Sequence, residues 1–306
     1  MIDFLNLVRW KNLLLIALVQ SLIKYALFPS FEATITLSDF QFTLLLLATL
    51  FIAAAGNIIN DIYDVETDSV NKPNKVIVGK HISEKAAFNL FIIFNIIGVG
   101  IGFYLANGIN NSGFATLFVI ISALLYVYST YLKYLIIIGN LIISIMIAIS
   151  ILIVGLFDLI PNFSPTNNDV HIGIFQILLI YSGFAFFLNL IREIVKDIED
   201  INGDYKANMK TLPIVIGRER TTIIAFALSL VPIFGMIYII VDSLYKYELV
   251  MGYLLLFVVA PMIYISIKLY TAERKKDYNY ISQLLKLIML FGILSLLMYP
   301  LIISNA

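Results

Sequence analysis

The sequence has no cysteine, two histidines and one tryptophan among its 306 residues. Without cysteine there is no disulfide, no thiolate nucleophile and no cysteine-ligated metal. His81 and His171 lie far apart in the chain and make no zinc-like pattern. Charge is scarce as well: 13% of the residues are charged, where a soluble domain carries about 25%. Long polar stretches are missing too. The longest, near 61–85, 197–220 and 271–280, are loop-sized and leave no room for a soluble domain. Lysine and arginine together number 20 and are balanced by 20 acids, and the basic residues follow the loops between apolar runs, which excludes a nucleic-acid-binding face.

What fills the chain instead is apolar: 61% of the residues are hydrophobic. Such a chain needs an apolar solvent, and a bilayer supplies it. Segments near 11–29, 40–61, 86–107, 113–132, 134–157, 172–196, 221–242, 248–270 and 281–303 are each long enough to cross about 30 Å of hydrocarbon. The sequence therefore predicts an all-α polytopic membrane protein of nine transmembrane helices, a single domain over 1–306. The opening MIDFLNLVRWKN leads into its apolar run without a small-residue cleavage motif and reads as the approach to a retained first span. Spans four and five meet at STYLKYL with almost no polar separator, which predicts a tight hairpin.

Nine spans put the two termini on opposite sides. With the N-terminus inside, the inner segments hold Arg9, Lys11, Lys72, Lys75, Lys80, Lys85, Lys133, Lys206, Lys210, Arg218, Arg220 and the basic run 274–276. The outer segments near 30–39, 108–112 and 158–171 hold no lysine or arginine; Lys24 and Lys246 alone oppose the pattern. The positive-inside rule then predicts a cell-membrane protein with a cytoplasmic N-terminus and an outer C-terminus.

Two acidic stretches stand out at the inner ends of apolar runs, GNIINDIYDVETDSVNKPNK (56–75) and NLIREIVKDIEDINGDYKANMKTLP (189–213). Asn60, Asp64 and Asp68 are spaced i, i+4, i+8, so on a helix they share one face over about 12 Å. Asp61 lies three residues before Asp64, and Pro73 stops the helix. Lys196, Asp200 and Asp204 repeat the spacing, with Asp197 at the place of Asp61. This echo suggests two related halves, about 1–132 and 134–270, followed by a last span. Carboxylates on one face repel one another, and at a helix C-terminus the macrodipole disfavours them further. Helix stability does not call for that arrangement; a divalent cation does, and an oxygen-rich, water-retaining site shared with phosphate suits Mg²⁺. A solvated loop would also carry acids, but not twice with matched spacing. Ionisable groups at membrane depth are usually functional.

The paired motifs NDIYDVETD (60–68) and DINGD (200–204) resemble those of the UbiA superfamily of intramembrane prenyltransferases. The likeness runs along the whole chain and takes in YVYSTYLKYLIIIGN (126–140), with Tyr128, Lys133 and Asn140, and KTLP (210–213). Within the superfamily, REIVKDIEDINGD (192–204) looks most like the digeranylgeranylglyceryl phosphate synthases, which prenylate geranylgeranylglyceryl phosphate. The chain departs from that pattern after NKPN, where KVIVGK stands in place of an Arg-Pro-rich segment ending Ser-Gly.

The resemblance implies nine helices around a central cavity, with a small cytoplasmic cap from loops 2–3 and 6–7. It implies Mg²⁺-dependent transfer of a polyprenyl group from an allylic prenyl diphosphate to a lipid or aromatic acceptor, among membrane lipids. Asn60, Asp64, Asp68, Asp200 and Asp204 would hold the metal, with Asp61 and Asp197 in support; Asp64, Asp68, Asp200 and Asp204 are the expected catalytic set. Lys75, Lys133 and Lys210 are candidates for the diphosphate, Arg192 or Lys80 for an anionic acceptor, and Tyr128 for the substrate cavity. Tyr126, Tyr128, Phe184 and Phe187 could shield a carbocation, although packing is the usual use of large rings. Three alternatives stay open. A quinone precursor such as dihydroxynaphthoate would share the metal chemistry. A CDP-alcohol phosphotransferase would need a DG-containing motif ending GxxxD, which is not found. A cation-binding protein or transporter would place its acids nearer mid-helix.

Overall fold

The structure, a computed structural model, describes residues 1–304. Among them nine helices are long and apolar enough to cross a membrane: α1 (Trp10–Ser30), α2 (Asp39–Tyr63), α3 (Glu84–Gly108), α4 (Ser112–Thr130), α5 (Ile138–Asn162), α6 (Asn168–Lys206), α7 (Arg218–Leu244), α8 (Glu248–Tyr270) and α9 (Lys275–Ser304). The protein is a multi-pass, all-helical membrane protein, as its hydropathy predicts. Start signals are local. Ser38 and Gln41 form a reciprocal capping box at the head of α2, and Ser83 caps α3.

The boundaries follow the sequence closely except at α6. Its apolar run ends near residue 196, yet the helix continues to Lys206 through 39 residues. At 1.5 Å per residue that is about 58 Å, nearly twice the hydrocarbon thickness, so part of α6 projects beyond the membrane. These turns, DIEDINGDYK, include three Asp, an Asn and a Gly, all weak helix formers. Packing holds them: Ile198 is fully buried, and Asn71 bonds to the Asp200 carbonyl and the Gly203 amide. Hydropathy reports the solvent, not the helix.

Helix α6 is also the spine of the bundle. Ile174 and Leu178 pack with residues of α1, α2 and α5 in one core cluster. Leu188, Ile191, Ile194, Val195 and Ile198 pack with residues of α7, α8 and α9 in another. On α3, Gly98 and Gly102 permit close contact, since a Cβ there would collide with Ile52 and Phe118; Gly100 between them faces open space and plays no such part. The hairpin between α4 and α5 is tight, as STYLKYL predicts, with a single 3₁₀ turn at Leu132–Tyr134.

Two short connections lie against the projecting end of α6. Loop 2–3 forms a helix at Val65–Asn71, and Asn71 donates to the Asp200 carbonyl (2.8 Å) while accepting from the Gly203 amide (3.0 Å). Loop 6–7 carries the short helix Leu212–Ile216, and its Lys210 amide donates to the Tyr134 carbonyl (3.0 Å), joining it to the α4–α5 hairpin.

Lys24, out of place in the charge pattern, has a structural explanation. It sits in a π-helical turn, Ile23–Leu27, and its Nζ donates to both carboxylate oxygens of Asp158 (2.9 and 3.1 Å) and to the Leu37 carbonyl (2.7 Å). The Leu37 amide donates to Asp158 Oδ1 in turn (2.8 Å). Both charged side chains are buried, at 1% and 0% exposure. This lysine therefore ties α1 to the end of α5 and is no guide to topology. Replacing it by Lys24→Met strands a buried carboxylate and should cost about 3–5 kcal/mol. The pair Lys24→Met/Asp158→Leu should recover much of that loss. Thermal unfolding in detergent reads both; equal losses in the single and double variants would show that the ion pair is not the fastening.

Candidate active site

The first acidic row begins inside α2 and crosses a joint. Asp64 stands between α2 and the Val65–Asn71 helix, but the backbone ladder runs through it: Asp64 donates to the Asn60 carbonyl (2.9 Å) and Asp68 to the Asp64 carbonyl (2.7 Å). The helical spacing of Asn60, Asp64 and Asp68 thus survives. Pro73 opens a 3₁₀ turn directly afterwards. The second row lies on the last turns of α6. Both rows line one cavity of about 1390 Å³, which holds all seven expected metal-site residues: Asn60, Asp61, Asp64, Asp68, Asp197, Asp200 and Asp204. Lys75, Tyr128, Lys133 and Arg192 line it too. Lys80 and Lys210 do not; the Lys80 ammonium instead donates to the Pro73 carbonyl (2.8 Å).

The rows are brought together by a close approach of backbone to backbone. A Cβ on Gly203 would collide with the Asn71 side chain and come within 2.8 Å of the Thr67 carbonyl oxygen. Glycine within the DINGD stretch is what lets the Val65–Asn71 helix lie on α6. With it comes Lys72, whose ammonium is bonded to Asp200 Oδ2. Asp64 is bonded through one oxygen to Lys133 (2.6 Å) and through the other to the Asn60 amide (2.6 Å).

The carboxylates fall into two kinds. Asp61 accepts from Arg9 (2.8 Å) and Asp197 from Asn140 (2.8 Å), so protein partners fix both. Among the described residues, neither Asp68 nor Asp204 accepts a hydrogen bond through its carboxylate. Asn60 Oδ1 and Asp200 Oδ1 are buried without a hydrogen-bond partner, the latter 3.8 Å from the Lys275 ammonium. Burial pushes the Asp68 carboxyl up to about 6; the charges of Asp64 and Asp61 push the same way, against Lys72 and Arg9. For Lys72 burial acts to lower the pKa, but the charge of Asp200 and its hydrogen bond outweigh it and the net shift is upward.

These open oxygens fit Mg²⁺ in a particular way. Among the described residues no three acidic or imidazole side chains converge into a cage that would hold an ion alone. Mg²⁺ does not ask for one: it keeps several waters and takes one or two carboxylates plus substrate phosphate. Unpartnered carboxyl and amide oxygens from two elements, open to a shared cavity, meet that demand.

Several residues in this network carry no mark in the two motifs. Lys72 had a usable signal, since it extends the 60/64/68 face by one more turn. Arg9 heads the first span, where its charge serves the topological reading and hides its pairing. Glu193, which accepts from both Arg192 and Lys196, is one more acid in an acidic stretch until the structure shows its partners. Of the aromatics, Tyr128 and Phe184 line the cavity, whereas Tyr126 stacks on Phe91 and Phe187 packs on Phe186.

Comparison with known proteins places the chain. The sequence profile of the UbiA prenyltransferase family matches residues 22–291. The digeranylgeranylglyceryl phosphate synthase of Methanosphaera stadtmanae is 32% identical over 256 residues, covering 81% of this chain and 84% of its own. A solved structure from work on a digeranylgeranylglyceryl phosphate synthase superposes with a TM-score of 0.63 at 24% identity, covering 97% of both chains. A UbiA homolog from Archaeoglobus fulgidus bound to GPP and Mg²⁺ superposes with a TM-score of 0.55 at 18% identity, covering 96% of this chain and 99% of that one.

The Gly203 contact can be tested without any substrate. Gly203→Ala should cost about 1–3 kcal/mol through overpacking, read as a lowered unfolding midpoint. Gly183→Ala, on the same helix but facing open space, should not lower it. Equal midpoints for both variants would show that the two segments do not meet at Gly203.

Proposed function

The chain belongs to the UbiA prenyltransferase family, and we propose that within it the protein joins a geranylgeranyl group to geranylgeranylglyceryl phosphate, in ether-lipid synthesis. The observation that carries this reading is the pair of acidic rows, with unpartnered oxygens on Asn60 and Asp200 and free carboxylates at Asp68 and Asp204, at one large cavity. Ordinary ligand pockets span about 300–1,000 Å³; about 1390 Å³ suits two long chains better than one chain and a small ring. The synthase relatives are named for that product.

In this reading Asn60, Asp64, Asp68, Asp200 and Asp204 hold Mg²⁺, which supplies positive charge to the diphosphate oxygens as the leaving group departs. Lys72 and Lys133 are paired with Asp200 and Asp64. Both ammonium groups line the same cavity, where they would also offset the charge of the departing diphosphate. Lys75 adds charge at the same cavity, while Arg9 and Asn140 keep Asp61 and Asp197 in place. The bond between the allylic carbon and the diphosphate oxygen breaks, and its electron pair leaves with the diphosphate. The acceptor hydroxyl oxygen forms the new ether bond to that carbon and loses its proton to the released diphosphate or to water. Tyr128 and Phe184 present ring faces to the developing cation and keep water away.

The Lys and Arg distribution supports a cytoplasmic N-terminus and active site, with the chain ending outside. Loops 2–3 and 6–7 then form a cytoplasmic cap over the mouth. The matched rows at 60–68 and 196–204 support two related halves, about 1–132 and 134–270, plus the last span.

Asp64→Asn and Asp200→Asn should each lower prenyl transfer by at least about 10²-fold while leaving the unfolding midpoint near wild type. Near-wild-type turnover in both would overturn the mechanism. The acceptor is tested by offering geranylgeranyl diphosphate and Mg²⁺ with either geranylgeranylglyceryl phosphate or dihydroxynaphthoate. A diether phosphate, identified by mass, is expected. A prenylated naphthoquinol alone would replace the lipid acceptor by an aromatic one and keep the metal–diphosphate chemistry.

A further inference from the structure

A second cluster, of opposite sign, lines the same cavity. Arg192 and Lys196 lie one turn apart on α6, Lys286 lies on α9, and Lys11 with Asn12 lies at the head of α1. The charges that bear most on Lys286 are those of Arg192, Lys11, Lys196 and Arg9, all positive, and its ammonium donates to the neutral Asn12 side chain. Arg9 is already satisfied by Asp61. Glu193 accepts from Arg192 (2.8 Å) and Lys196 (2.9 Å). Lys11, Arg192, Lys196 and Lys286 thus outnumber the acids beside them, Glu193 and the Asp197 next to Lys196, and Arg192 Nε is buried with no acceptor at all. Like charges gathered at membrane depth raise the energy of the fold. Nothing in the packing calls for them; an anion does.

The helix sets where that anion lies. Arg192, Lys196, Asp200 and Asp204 follow at i, i+4, i+8 and i+12, so one face of α6 carries cations and then carboxylates over about 18 Å. A metal-borne diphosphate has its place at the carboxylate end. The cationic end has few free carboxylate oxygens for a metal, since Glu193 is engaged by Arg192 and Lys196 and Asp197 by Asn140. We propose that Arg192, Lys196 and Lys286, with Lys11 and Asn12, bind the phosphate monoester of the acceptor lipid. This assignment rests on the glyceryl phosphate reading above. A surplus of cations suits a phosphate dianion, and Arg192 and the ammonium groups offer charge-assisted hydrogen bonds to its oxygens. Anchored there, the acceptor presents its hydroxyl along α6 toward the departing diphosphate. One cavity thereby keeps two polyanions apart by giving each its own kind of counter-charge.

The test compares Lys286→Met and Lys286→Arg with the wild type. Binding of geranylgeranylglyceryl phosphate is measured beside that of the same lipid alcohol without phosphate and of geranylgeranyl diphosphate with Mg²⁺. Lys286→Met should weaken the phosphate lipid by about tenfold or more, with KM for the acceptor rising in step. The alcohol and the donor should bind as to wild type, and Lys286→Arg should restore most of the loss. Unchanged affinity for the phosphate lipid in Lys286→Met would overturn the site and leave the acceptor reading standing. Equal wild-type affinity for the phosphate lipid and the alcohol would overturn it too. Wild-type turnover with dihydroxynaphthoate but not with the phosphate lipid would remove the acceptor reading and this site together.

Discussion

The contact between the Val65–Asn71 helix and the last turns of α6, at Gly203, is the constraint on which the site depends. It brings together two rows of acids that are more than a hundred residues apart in the chain, and Asn71 locks the approach with bonds to the Asp200 carbonyl and the Gly203 amide. Carboxylates gathered in this way repel each other. Lys72 and Lys133 offset part of that repulsion while leaving oxygen atoms on Asn60, Asp68, Asp200 and Asp204 uncommitted. The site is therefore folded and under-neutralised at once, which is the condition a bound cation relieves.

The length of α6 makes this possible. A helix that ended at the hydrocarbon boundary would stop near Lys196, before the second row begins. By continuing to Lys206, α6 adds the acids of the second row one to three turns beyond Arg192 and Lys196, at the same cavity. Its buried side meanwhile joins the two halves of the core. One element thus orders the cavity along its axis: apolar wall, cationic cluster, acidic row. Lys24 and Asp158 hold the other end of the bundle by a different use of charge, a buried pair satisfied wholly within the protein.

Much of this is legible in the sequence, for definite reasons. Spans follow from hydropathy because the bilayer imposes a length. The acidic rows follow from a four-residue spacing because the helix imposes a period. Hydropathy stops α6 near residue 196, but the helical spacing of Lys196, Asp200 and Asp204 already carries it further, as the helix does to Lys206. Pairings between distant elements are hidden: Lys72 with Asp200, Arg9 with Asp61, and Lys286 with the cations of α6 depend on how the helices pack. Nearness in sequence also misleads. Lys80 and Lys210 follow the two motifs closely, yet loop geometry turns them away from the cavity. Lys24 breaks a topological rule in the sequence because its partner lies 134 residues away.

The central claim is that the two acidic rows act on one metal–diphosphate unit. A calorimetric double-mutant cycle tests it most directly, titrating geranylgeranyl diphosphate with and without Mg²⁺ into wild type, Asp68→Asn, Asp204→Asn and the double variant. If both rows hold the same unit, each single change removes most of the Mg²⁺-dependent affinity and the double is little worse, with a coupling of about 0.5–3 kcal/mol. Strictly additive losses, or Mg²⁺-dependent binding that survives in either single variant, would mean that the rows bind separately, and the shared site would be wrong.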